Sequence, residues 1–500
     1  MRHLKGLLAG LLLALMPAPL AAQVEAGHVS FANSGAPAAQ APFLRGLALL
    51  HNFEYSSAAE AFREAQAADP GFVMAFWGEA MTYNHPVWME QDQAAARTAL
   101  ARLAPTSEAR RARAATPRER SFLEAVEILY GDGAKEARDR AYSDRMQRLH
   151  QAFPDDVDAR AFYALSLLGL AHEGRDYALY MRAAGLLEEI YPENRSHPGV
   201  LHYLIHSYDD PAHAPLGLRA ARLYGAVAPD AGHALHMTSH IFLAAGMWDE
   251  VVSANRNAMA VVDRQRSAAG RAPVECGHYA EWLTYAEYQR GRSGDGNAQV
   301  ALCRRDALAE LAAAPAGSAI ERGRGQAGSY AGMAVRRLVE TGAWAGAEDL
   351  PLPADAYLGA RFTLAYGDLL AAGSDAARLR AARARLRAAH EAWLAAMAGR
   401  EDPASRRRGE IILLQAQALE QLASNETEAG LATLRSAAQT ERTIPAEYGP
   451  PLVEKPSFEL LGDVLTRLGR ASEARQAYDE ALRLAPGRRL TLRASGSAVN

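Results

Sequence analysis

Glycine or proline interrupts this chain roughly every 15 to 20 residues, and the segments between are rich in Ala, Leu, Arg and Glu, residues well suited to helices. Strand-like alternation is scarce. Segments of that length, bounded by turn residues, predict helices joined in antiparallel pairs. A single pair cannot bury its apolar face alone, so successive pairs must stack. The expected fold class is therefore all-α, a helix-turn-helix solenoid running as one continuous superhelix without a sheet.

The C-terminal segment makes the repeat type specific. Phe458, Leu461, Gly462, Leu465, Ala474, Tyr478, Ala481 and Pro486 have the spacing of the tetratricopeptide repeat, and the chain resembles that superfamily. Gly46, Leu49, Ala58, Phe62, Ala65 and Pro70 hold the same offsets near the N-terminus, and Phe76, Glu79, Ala80 and Tyr83 open a following unit. Between them the pattern is looser: Gly217, Ala221 and Pro229 fit one second helix, and Gly246, Val251 and Ala258 the next. The resemblance implies a right-handed superhelix whose first helices line a concave groove.

Arg2 and Lys5, the apolar run Leu7 to Met16 and the small residues Pro17 to Ala22 have the order of an export signal. That predicts a periplasmic or secreted protein, with no cysteine near the cleavage region for a lipid anchor. Losing Arg2 and Lys5 takes the basic count from 54 to 52 against 58 acids, so the charge moves from -4 to -6. Without a basic, aromatic-laced block, nucleic acid is not an expected partner. No later stretch approaches the length of apolar sequence that a transmembrane helix needs. The expected organisation is a signal segment over 1–22, a disordered leader over 23–40 rich in Ala, Gly, Ser and Pro, histidine-bearing repeats over 41–315 and C-terminal repeats over 316–500.

Cys276 and Cys303 are the two cysteines. An oxidising compartment permits a disulfide, yet a helix ending near Gly291 and a return from about Asp295 leaves Cys303 short of Cys276 unless the loop is longer or the chain folds back at Gly277. A disulfide and a pair of buried thiols both remain open at this point.

Chemistry concentrates elsewhere. Seven of the 15 histidines lie between His197 and His240. His202, His206 and Asp209 stand at i, i+4 and i+7, which places them within roughly 60° on one helical face. His233, His236 and His240 repeat this at i, i+3 and i+7, and His278, Glu281 and Tyr285 offer a third set. Imidazole and carboxylate side chains so spaced bind divalent metals such as zinc, copper or iron, or exchange protons near neutral pH.

The same stretch resembles a group of secreted bacterial tetratricopeptide-like proteins whose middle runs His-Pro-Gly, His-Tyr-x-Ile-His-Ser-Tyr-Asp-Asp and His-Ala-Leu-His-Met-x-Ser-His-Ile-Phe. Here these are His197 to Gly199, His202 to Asp210 and His233 to Phe242. The tetratricopeptide resemblance implies that the segments 199–208, 234–245 and 278–289 lie side by side along the groove, so that their polar faces converge. The expected metal ligands are His202, His206, Asp209, His236 and His240, with His233, His278 and Glu281 beside them.

Several of these residues have a second reading. His197 reads as a helix-start residue, His213 as a loop residue and His233 as a helix N-terminal residue. Asp209 reads equally as a turn cap with Asp210 before Pro211, while His278 and Glu281 read equally as a solvated helix start. His85 reaches the site only if the superhelix curls back. No His-Glu-x-x-His, Gly-x-Ser-x-Gly or phosphate-cradling loop is present, so serine hydrolysis and nucleotide binding are not expected. The expectation is a binding protein that takes a protein, peptide or small ligand in a groove with a histidine-rich metal site. The alternatives are a metal-dependent hydrolase or oxidoreductase on the same scaffold, and a plain interaction scaffold with no metal.

Overall fold

In the computed structural model the described residues are 24–313, 325–346, 349–353, 356–398, 403–445 and 449–496. They form 23 α-helices, nearly all in antiparallel hairpins that pack in chain order. The chain is an all-α solenoid. The signal segment and the division at 315/316 lie outside the described residues, although one apolar cluster joins Val300, Cys303 and Ala307 to Ala327 and Tyr330 across that division. Among the described residues, no helix is long and apolar enough to cross a membrane.

The repeat residues act as their spacing requires. A Cβ on Gly462 would stand 2.3 Å from the Tyr478 ring, and one on Gly46 would stand 2.9 Å from Phe62. In each hairpin, then, an aromatic ring of the second helix sits where the first helix has no side chain, and the backbones approach closely. Any larger residue would push the pair apart.

Three expectations need correction. Residues 24–36 are extended but packed, with Ala26, Val29 and Phe31 buried. Phe31 meets the rings of Phe43, Trp77 and Phe122, so apolar burial outweighs the disorder that the small, polar composition suggested. The helix Pro37–His51 already begins inside the expected leader. A two-stranded antiparallel ladder pairs Asn84 with Gln91 and His85 with Glu90, because Pro86 stops the helix and the chain doubles back.

The path of the solenoid matters most for the site. The helix Pro37–His51 packs on the helix Pro198–Tyr208, several hairpins later in the chain. The C-terminal repeats return as well: Arg488 reaches Tyr285 and Glu340, and Gly449 lies against Trp282. Cys276 and Cys303 are joined as a disulfide. The fold-back that this needs occurs at Gly277, whose φ of 116° is one that glycine adopts without strain.

Candidate metal centre

Three consecutive first helices carry the histidines: Pro198–Tyr208, Gly232–Ala244 and His278–Gln289. The first starts with Pro198 in its first turn, and His197 Nδ1 accepts the Val200 N–H. It ends at Asp209, where Asp210 Oδ1 accepts the N–H groups of Ala212 and His213. Asp210 is thus the turn cap, which leaves Asp209 for other work. The second helix receives Glu54 at its start, through the His233 N–H at 3.0 Å. It closes with bonds from Gly246 N to Leu243 O and from Met247 N to Phe242 O, the pattern that a left-handed glycine makes at a helix end. Gly291 and Arg292 close the third helix in the same way.

These helices bring the histidines into two trios, each with its ligand nitrogens within 4.8 Å of one another: His202, His206 and His233, then His236, His240 and His278. The grouping differs from the expected set of His202, His206, His236 and His240, since each pair takes a different third member. Nor is the expected groove wall solvated. His202, His206, His236 and His240 are buried, and His278 is exposed at the edge. Neither Glu281 nor Asp209 belongs to a trio. Glu281 turns to Arg336 at 3.4 Å, and burial, partly offset by that arginine, raises its pKa. Tyr285 turns to Arg488. His213 pairs with Asp210 at 2.8 Å.

Hydrogen bonds set the tautomers. Asn255 Nδ2 donates to Val251 O, so its Oδ1 faces His236 Nδ1 at 2.7 Å as an acceptor. Asp209 Oδ2 accepts from His240 Nδ1 at 2.5 Å. Both Nδ1 atoms therefore carry hydrogen, and the two Nε2 atoms face each other 3.1 Å apart. His202 Nδ1 donates to His51 O at 2.7 Å, leaving its Nε2 buried with no hydrogen-bond partner, as is His233 Nε2. This outward anchoring of Nδ1 is how proteins orient imidazoles toward a metal. Burial, then the neighbouring imidazoles, hold the pKa of His202, His206, His233 and His236 well below the ordinary value, so all four are neutral at pH 7 and offer lone pairs.

Sequence reasoning missed the rest of the surroundings. Phe53, with a left-handed φ of 58°, lies 4.3 Å from the His202 ring and 5.7 Å from His233. A bulky residue held in that region marks a constrained site. Trp88 meets His233 at 5.7 Å, and His85 stacks on Tyr55 at 4.0 Å. The superhelix does curl back, and it brings the 84–91 ladder to the trios. Trp282 covers His240 at 4.4 Å and is itself pinned by Gly449.

A third set, His51, Asp158 and His197, is wholly buried. Asp158 Oδ1 accepts from His51 Nε2 at 2.9 Å and stands 3.4 Å from His197 Nε2, while His51 Nδ1 meets Tyr203 Oη at 2.9 Å. Both nitrogens of His51 are hydrogen-bonded, while His197 Nε2 meets the carboxylate only in the longer ion-pair contact. Burial works to raise the Asp158 pKa, but hydrogen bonds from His197 and His51 outweigh it and hold the carboxyl well below its usual range. A histidine in the apolar run Leu47 to Phe53 was the one sequence signal for His51.

No protein-family model matches the sequence, and no curated protein does. Solved structures similar to it include the Cut9-Hcn1 hetero-tetramer of APC/C, at 12% identity and TM-score 0.35 over 93% of this chain and 77% of that one. A monomeric IFIT1 mutant with Gppp-AAAA shares 14% identity at TM-score 0.38, over 89% and 90% of the two chains. The P58(IPK) TPR domain shares 10% at TM-score 0.22, over 92% and 96%. Overlaps this low bear on no residue of the histidine trios.

Proposed function

We propose that this is an exported binding protein of helical hairpins that holds transition metal, zinc, copper or iron, on its two imidazole trios. The observation that carries the reading is the pair of Nε2 atoms on His236 and His240, 3.1 Å apart with both Nδ1 hydrogens directed outward. Two ring nitrogens that both turn a lone pair to the other at that distance repel. A proton on His240, held beside Asp209, would relieve them as an ion would, and elemental analysis separates the two. An ion about 2 Å from each nitrogen would subtend roughly 100°, near the tetrahedral angle of zinc sites. Asp209 then serves as the outer partner of His240, and a protein, peptide or small ligand meets the centre at its open edge beside His278 and Trp88, which is 38% exposed.

A metal-dependent enzyme is the second reading, and one cavity favours it. A space of about 330 Å³ is lined by Asp209, Trp248, Tyr285 and Glu441, among others. Burial pushes the Glu441 carboxyl up to about 7, so it can donate a proton at neutral pH. Elemental analysis of protein purified without a histidine tag tests the metal reading. Stoichiometric metal that a strong chelator removes, with a fall in melting temperature by mass action, is the expected result. Protein that neither carries metal nor gains thermal stability from added zinc, copper or iron returns the plain scaffold. Analysis of the exported fraction for a chain cleaved after Ala22 tests the location.

A further inference from the structure

The two trios are neighbours. Within the trios the ring centroids of His236 and His278 lie 4.6 Å apart and those of His202 and His233 lie 5.2 Å apart. Across the divide His206 and His240 are 6.1 Å apart, and His233 and His236 are 6.2 Å apart. One helix, Gly232–Ala244, supplies ligands to both sets. We infer that the six histidines form one paired centre for two copper ions, with a small bridging anion such as hydroxide or azide as its ligand. This rests on the metal-binding reading above and goes beyond it in number, identity and ligand class.

Charge decides the metal. Every donor in the two trios is an imidazole, a ligand that brings no negative charge. Asp209 and Glu54 stand behind the trios, on His240 Nδ1 and on the His233 N–H, and neither places an oxygen among the ligand atoms. Arg175, which donates to His206 O at 3.3 Å, is paired with Asp210 at 3.5 Å, so that pair offers the first trio no net negative charge. Two divalent ions would place four positive charges in this buried site, and uncompensated charge is what protein interiors tolerate least. Copper enters as the monovalent ion with half that charge, and imidazole is among the ligands that suit copper. On oxidation each ion loses one electron to the oxidant, here molecular oxygen or ferricyanide. The site then gains two positive charges that no side chain in the trios answers. A small anion bound between the ions supplies the missing negative charge, entering at the exposed edge by His278.

The test uses the full chain, freed of metal and loaded either with monovalent copper under nitrogen or with divalent copper in air. Two coppers per chain are expected, and the divalent form should show an electron paramagnetic resonance signal accounting for well under half of its copper, because adjacent spins couple. Azide should saturate a new visible charge-transfer band at one azide per two coppers. His206→Ala should leave one copper per chain with its full resonance signal. Because His206 is buried, His278→Ala at the exposed edge provides a second variant, with the same expected result in a chain that folds. One copper per chain, or two with full signal, overturns the pairing while metal binding stands. Equal concentrations of zinc displacing copper overturn the choice of metal. No binding of any metal sinks the metal-binding reading itself.

Discussion

The buried histidines around the helix Pro198–Tyr208 fall into two kinds of region. Around Asp158, the His51 imidazole is completed on one side by the carboxylate and on the other by a tyrosine hydroxyl, and His197 stands 3.4 Å from the same carboxylate oxygen. In the two trios, imidazoles are anchored from behind by Asp209, Asn255 and the His51 carbonyl, with the front nitrogens of His236 and His240 turned on each other. A buried polar group that is satisfied holds the fold together; one aimed at a like group needs something more. The same residue type is therefore structural in one place and a ligand candidate a few ångströms away.

The largest effect should come from the Asp158 network. Asp158→Ala strips both imidazoles of their acceptor in a dry interior, and a loss of about 3–5 kcal/mol is expected, measured by denaturant unfolding with chelator present. If metal-free stability changes by less than about 1 kcal/mol, the network is not the fastening it looks like and the contrast collapses.

Next in size is the pH response, since several imidazoles contribute. Burial lowers His51 from 6.5 to about 4 and His202, His206, His233 and His236 well below 6.5. With the folded pKa depressed, the unfolded chain binds more protons over this range, so stability is full above about 6.5 and is lost as pH falls toward 4. The depressed Asp158 carboxyl acts in the same direction at lower pH. A melting temperature of metal-free protein that stays flat from pH 7 to 4 would contradict the burial of these rings.

Metal affinity sharpens the comparison from the other side. His236→Ala should cost more than the roughly 10–100-fold typical of outer partners, and Asp209→Asn should fall within that range. Isothermal titration with zinc or copper separates the two. Equal, small losses would make the trios a polar wall.

The smallest changes should be those of Glu281→Gln and His213→Ala, about threefold or less in metal affinity. Glu281 faces Arg336 and His213 faces Asp210, so neither reaches a trio. A large effect at either would mean that the ligands are drawn from the wrong face of their helices.

Much of this was legible in the chain, and the reason is local. His202 with His206, and His236 with His240, share a face because four residues make about one helical turn. Gly462 against Tyr478 and Gly46 against Phe62 follow from the repeat offsets. The readings that went astray concern residues whose role depends on what lies opposite. Glu281 has the spacing of a ligand but turns to another helix, and Asp209 stands behind a ligand where spacing alone placed it among them. Phe31 looked like part of a loose leader because composition does not record the aromatic cluster that receives it.

Helical periodicity and turn residues, both properties of neighbours along the chain, were enough to specify an all-α solenoid and to put pairs of histidines on common faces. The closure of the superhelix belongs to the tertiary structure alone. Each hairpin adds a small rotation to the last, and only their sum carries His51 to His202, Trp88 to His233 and Gly449 to Trp282. Those contacts join residues more than a hundred positions apart, and they decide which imidazoles are satisfied and which are left facing one another.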